Sequence, residues 1–84
     1  MIDIEFDADS KSLKWLNDNR IYFVMEAIPE IGYIFGNGTD EFFMSRTQLL
    51  RFKNQDIFIV YVASKFGIYL TIEDKKKYFL KYKK

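Results

Sequence analysis

Ile2, Ile4 and Phe6 alternate with Asp3, Glu5 and Asp7, and a period of two puts three apolar side chains on one face of a strand and three carboxylates on the other. The pattern predicts a half-buried strand over 2–7. Asp9 and Ser10 offer helix N-caps ahead of Leu13, Trp15 and Leu16, and the Asn17-Asp18-Asn19 cluster offers a stop, so a short helix is predicted over 10–18. Residues 20–27 are rich in β-branched and aromatic side chains without clean alternation, as expected of a central strand covered on both faces.

Pro29 cannot donate to a ladder, so that run ends and a new strand begins over 31–35. Gly36-Asn37-Gly38-Thr39-Asp40 supplies residues that tolerate positive φ, which predicts a hairpin pairing 31–35 with 41–44. Ser45 followed by Gln48 matches a capping box and predicts a helix over 46–53 with Leu49, Leu50 and Phe52 on its buried side. Densely apolar residues 56–63 predict a strand, 64–67 a turn, and 68–72 its partner. After the turn residues 73–76, Tyr78, Leu80 and Tyr82 share one face of a final strand over 77–83. The predicted order is β-α-β-β-β-α-β-β-β. It describes an α+β fold, an antiparallel sheet with one or two short helices.

Length and composition narrow this picture. With 84 residues there is room for one core, so 1–84 is expected to be a single domain, and the 19% aromatic content supplies large apolar area for that core. No cysteine is present, and the N-terminus alternates apolar with acidic residues, unlike an export signal. The longest apolar run, Ile57 to Ala63, falls far short of the roughly 20 residues that cross a bilayer as a helix. A cytoplasmic protein outside the membrane is expected. Abundant Ile, Lys, Phe and Tyr beside only three Ala fit an AT-rich genome, such as that of a low-GC bacterium or its phage.

Charge is sorted along the chain. Residues 1–42 hold nine acids and three bases, whereas 43–84 hold ten bases and three acids, although the net charge is only +1. Opposite charges across a ladder are worth about 0.2–1 kcal/mol per pair. The acidic first strand is therefore expected to lie beside the basic last one, with Asp3, Glu5 and Asp7 against Lys77, Lys81 and Lys83.

The absence of both His and Cys removes the commonest general base, the commonest zinc ligands and the most reactive nucleophile. Carboxylate pairs such as Asp40/Glu41 and Glu73/Asp74 fall on predicted exposed faces or turn tips. A carboxylate needs burial or a cleft before it becomes useful for acid–base work. Gly36-Asn37-Gly38 opens no helix at the spacing a phosphate loop needs, and the serines lack a His partner. No catalytic residue, metal or cofactor is expected.

The leading expectation is a non-enzymatic protein-binding module, such as a small phage-type inhibitor of a host protein or an immunity protein. Many aromatics combine with near-neutral charge and segregated acidic and basic faces, which suits anchoring and steering by a protein partner. The expected contact residues are Phe35, Asp40, Glu41 and Phe43 around the hairpin tip, together with the acidic stripe Asp3, Glu5 and Asp7.

A second reading rests on Leu13-Lys14-Trp15-Leu16-Asn17 and on Glu41-Phe42-Phe43-Met44-Ser45-Arg46-Thr47-Gln48-Leu49. Over these about fourteen residues the chain resembles cold-shock domains. The resemblance implies an OB-like barrel that binds single-stranded nucleic acid, with Trp15, Phe42 and Phe43 stacking on bases and Arg46 beside them. A third and weaker reading is an endoribonuclease toxin of the RelE type, which works without His but is normally strongly basic. Three Arg and a pI near 7.9 fit that poorly.

Overall fold

A computed structural model describes residues 11–27 and 30–79. The predicted strand over 2–7 lies outside them, as do Asp3, Glu5, Asp7 and most of the predicted strand over 77–83.

The first described element is helix α1, Lys11–Asp18, close to the predicted span. Ser12, Trp15 and Leu16 form its buried face, as three- and four-residue spacing requires. Its end is closed by backbone bonds from Arg20 N–H to Asn17 O (3.0 Å) and from Ile21 N–H to Leu16 O (2.9 Å). Arg20 takes the left-handed position, at φ 59°, that glycine more often fills.

Three strands follow, β1 Tyr22–Glu26, β2 Gly32–Gly36 and β3 Glu41–Ser45, in an antiparallel sheet of order β1-β2-β3. The predicted hairpin forms. Asn37 Oδ1 accepts from Thr39 N–H (2.9 Å) and Asp40 N–H (2.8 Å), and Gly38 supplies φ 95°. Among the described residues, the central place expected of 20–27 belongs to β2. Within the described residues β1 is an edge strand whose Val24 and Met25 are exposed. Its lack of alternation comes from apolar side chains left exposed on both faces, Val24 on one and Met25 on the other, not from burial on both sides.

Ser45 caps helix α2, Arg46–Leu50, by accepting from Gln48 N–H (3.1 Å). Only this half of the predicted box is used for capping. The Gln48 amide donates to the Tyr61 hydroxyl instead (3.0 Å), and the helix is shorter than predicted.

The largest departure is over 56–63, where the predicted strand is the interior of helix α3, Gln55–Phe66. Its β-branched residues each lose only a few tenths of a kcal/mol of helix propensity, about as much in total as two good caps return. Both caps are present. Asn54 Oδ1 accepts from Ile57 N–H (3.0 Å), and Gly67, at φ 69°, closes the C-terminus. The predicted partner strand over 68–72 is likewise replaced. Residues 68–71 lie outside any strand and lead into helix α4, Ile72–Tyr78, opened by a reciprocal Thr71–Asp74 capping box. Lys77 and Tyr78 are therefore helical, and the predicted pairing of a strand beginning at Lys77 with the acidic first strand is replaced at these residues.

The fold class is α+β, an open three-stranded antiparallel sheet with four described helices. Phe58 of α3 packs against Phe35 of β2 (ring centroids 5.9 Å apart), and Phe42 of β3 meets Tyr61 and Phe66 of the same helix. Helix α1 in turn packs on α3 and α4. Gln55 Oε1, on the first residue of α3, accepts from both the backbone N–H (3.1 Å) and the hydroxyl (2.9 Å) of buried Ser12, closing the start of α1. The core is formed by Trp15, Leu16, Ile21, Phe35, Met44, Leu49, Phe58, Ile59, Val62, Ala63 and Tyr78.

Candidate interaction surface

The strand register sorts the sheet residues onto two faces. Phe23, Phe35 and Phe42 lie side by side across the three strands, as do Met25, Tyr33 and Met44, and these rows share the face on which α3 packs, although Met25 on β1 stays exposed there. The intervening rows, Tyr22/Gly36/Glu41, Val24/Ile34/Phe43 and Glu26/Gly32/Ser45, point the other way. Tyr22 is 44% exposed, Val24 50% and Phe43 43%. Such exposure in the middle of a sheet face is what makes the row a candidate contact surface.

The two glycines shape this face. Gly36 lies directly beside Tyr22, whose ring lies over it, and the Tyr22 hydroxyl donates to Glu41 Oε2 on the far strand (2.7 Å). The hydrogen bond to Glu41 is the largest reason the Tyr22 hydroxyl titrates above its ordinary range. Gly32 lies under the Phe43 ring, and a Cβ built there would stand 2.5 Å from Phe43 Cζ and 2.5 Å from the Met44 carbonyl oxygen. Both glycines are buried within an otherwise exposed face because aromatic rings cover them. The rings thus lie flat on the sheet, and the Glu41 carboxylate is held in one orientation.

The charge of this region is one-sided. Between Arg20 and Arg46 the sequence contains Glu26, Glu30, Asp40 and Glu41 and no Lys or Arg. Glu30, Asp40 and Glu41 are exposed, and Glu26 is half-buried at the end of β1. The outer rows place Glu41 and Glu26 at opposite corners of the apolar patch.

Of the residues expected to contact a protein, Glu41 and Phe43 sit on this face and Asp40 beside it in the turn. Phe35 is fully buried on the opposite side, between Phe42 and Phe58. Asp3, Glu5 and Asp7 lie outside the described residues. Of the residues that the cold-shock resemblance implies, Trp15 is 1% exposed in the core. Phe42 is half-buried on the helix-covered face, with Lys65 Nζ 5.9 Å from its ring centroid, and Phe43 is on the outer face. Arg46 opens α2 and is exposed. The three aromatics do not share a surface, and the described strands form an open sheet, not a barrel. Tyr22, Val24 and Ile34 were not singled out by the sequence, although the base-free stretch from Ile21 to Ser45 marks the region.

A second apolar surface lies on α3. Ile57 and Val60 are exposed on the side turned away from Phe58, and with Phe79, Asn54 and Asp56 they line an open groove of about 370 Å³. A neighbouring hollow of about 250 Å³ is lined in part by Val60, Ile68, Tyr69 and Lys75.

Among the described residues, no three acidic side chains converge at metal-binding geometry, and no helix is long and apolar enough to cross a membrane. Compared with known proteins, the chain matches no family profile, no curated protein and no solved structure.

Proposed function

We propose that the chain is a non-enzymatic protein-binding module, of the kind used as a small inhibitor or immunity protein, and that the outer face of its sheet is the binding surface. The observation that carries this is the uncovered row Val24–Ile34–Phe43, flanked by Tyr22 and set in a stretch of chain with four acids and no base. An apolar centre with charged corners is the anatomy of a protein interface, and aromatic anchors such as Tyr22 and Phe43 carry much of the affinity in such surfaces.

The same charge argues against the nucleic-acid alternative at this face. A base-free sheet repels phosphates, whereas single-strand binding needs cations beside exposed rings. The test has two arms. Labelled single-stranded DNA and RNA, titrated at two salt concentrations, should show no saturable binding. A partner isolated from the native host should lose affinity for Phe43→Ala by about tenfold or more, as an anchor at an interface centre does, and should be indifferent to Ile57→Ala on α3. Tight, salt-dependent binding of an oligonucleotide, or a partner indifferent to Phe43→Ala, would refute the proposal.

A further inference from the structure

The outer sheet face also restricts which kind of protein can occupy it. We infer that its partner is a basic protein surface, one that places Arg or Lys side chains beside apolar ones; this rests on the proposed use of the face. The apolar row runs between two anionic corners, Glu41 at one end and Glu26 at the other. Glu30 and Asp40 add charge of the same sign in the adjoining turns. Tyr22 already holds the Glu41 carboxylate from one side through its 2.7 Å hydrogen bond, so an incoming guanidinium or ammonium meets an acceptor whose rotamer is set before binding. Preorganisation of this kind lowers the ordering cost of association.

The charges also select against other occupants. A second copy docked face to face about a two-fold axis along a diagonal of the patch would set Glu26 and Glu41 against carboxylates, and like charges brought together at an interface are strongly unfavourable. An acidic partner meets the same repulsion. A basic one is instead steered toward the face before contact, which raises its association rate at low salt.

The experiment uses the full chain and two short synthetic peptides, one alternating Leu with Arg and the other Leu with Glu. Binding is followed by amide and side-chain NMR shifts. The Leu/Arg peptide should shift Tyr22, Ile34 and Phe43, and Glu26→Lys should weaken it by about tenfold while leaving the Tyr22–Glu41 bond in place. Glu41→Lys should do the same, with circular dichroism confirming that each variant is folded. The Leu/Glu peptide should leave the face unperturbed.

Equal binding of both peptides on the face would overturn the basic partner and leave the face itself standing as a binding surface. Shifts confined to Ile57 and Val60, or no shift with either peptide, would overturn both. Sedimentation of the chain as a dimer that Phe43→Ser dissociates would replace the basic partner with a second copy.

Discussion

The outer face of the sheet and the outer side of α3 both leave large apolar side chains in contact with solvent, but they are built differently. On the sheet, Phe43 and Tyr22 lie over glycines and Tyr22 is tied to Glu41, so each exposed ring rests on a surface that fits it. On α3, Ile57 and Val60 project from a helix that is apolar almost all round, beside a groove lined in part by Asp56 and a neighbouring hollow lined in part by Lys75. Between Arg20 and Arg46 the charged side chains of the first surface are all acidic, and its rings rest on glycines; the second has neither feature. Exposed apolar area alone does not distinguish a binding surface from the spare side of a core helix. The support beneath the side chains and the charge around them do.

The sharpest test of that contrast is within α3 itself. Phe58 packs with Phe35 and Phe52 in the core, whereas Val60, two residues on, faces solvent. Phe58→Ala should cost about 3–5 kcal/mol, close to the whole stability of a domain this small, and Val60→Ala should stay within about 1 kcal/mol. Urea unfolding of the two variants gives both numbers. A large loss at Val60 would mean that the Val60 side chain is packed and that the α3 groove is not an open surface.

A smaller effect separates the two glycines. Alanine at Gly32 meets the Met44 backbone oxygen, which cannot move without disturbing β3, so about 1–3 kcal/mol should be lost. At Gly36 the added methyl meets the end of the Tyr22 side chain, which can swing away. Gly36→Ala should therefore cost less than Gly32→Ala in thermal unfolding, and it should release Glu41, seen as a fall of the Tyr22 hydroxyl toward its ordinary titration range. Equal costs would show that the rings are not laid on the glycines as described.

The smallest effects come from pH, and from neither surface. Tyr78 donates to Asp18 Oδ2 (2.5 Å), with Lys14 and Lys77 each 3.7 Å from the same oxygen, joining the end of α1 to α4. The Tyr78 hydrogen bond is the largest influence holding the Asp18 carboxyl below its ordinary 3.8, aided by the two lysines. A depressed carboxyl contributes stability above its unfolded pKa and loses it as pH falls through the lower folded value. Burial, followed by the bond to Asp18, pushes the Tyr78 hydroxyl from 10.0 to about 12. That contribution is complete below pH 10.0 and disappears as pH rises toward about 12. Tyr78→Phe should therefore flatten the stability profile at both extremes. Chemical denaturation across the pH range reads both.

How much of this was legible in the chain follows from where the information is stored. Elements closed by local chemistry were readable: α1 from its three- and four-residue spacing and asparagine stop, the β2–β3 hairpin from Gly36-Asn37-Gly38, and the start of α2 from Ser45. The cap signals of α3 and α4 were equally local. Asn54 and Gly67 bracket one helix, and Thr71 with Asp74 opens the other. They were outweighed by the β-branched run between the first pair and the lysine-rich stretch after the second. In α3, two caps and burial against the sheet override a modest propensity penalty. Glu41, Phe43 and Asp40 were found from the turn, because a hairpin tip and its flanks are defined within a few residues.

The α+β class, the absence of His and Cys, and the division into acidic and basic halves are properties of the amino-acid sequence, because composition, periodicity and turn chemistry act over short stretches of chain. Which side of the sheet remains open was decided only in three dimensions. Phe42 and Phe43 are adjacent and chemically identical, yet one is enclosed by α3 and the other lies on the outer face. A strand turns successive side chains to opposite faces, and the helix that covers one of those faces comes from residues 55–66, elsewhere in the chain. Phe35 entered the core for the same reason, Trp15 because it lies on the face of α1 that packs inward, and Tyr22 came to orient Glu41 because the register set both beside Gly36.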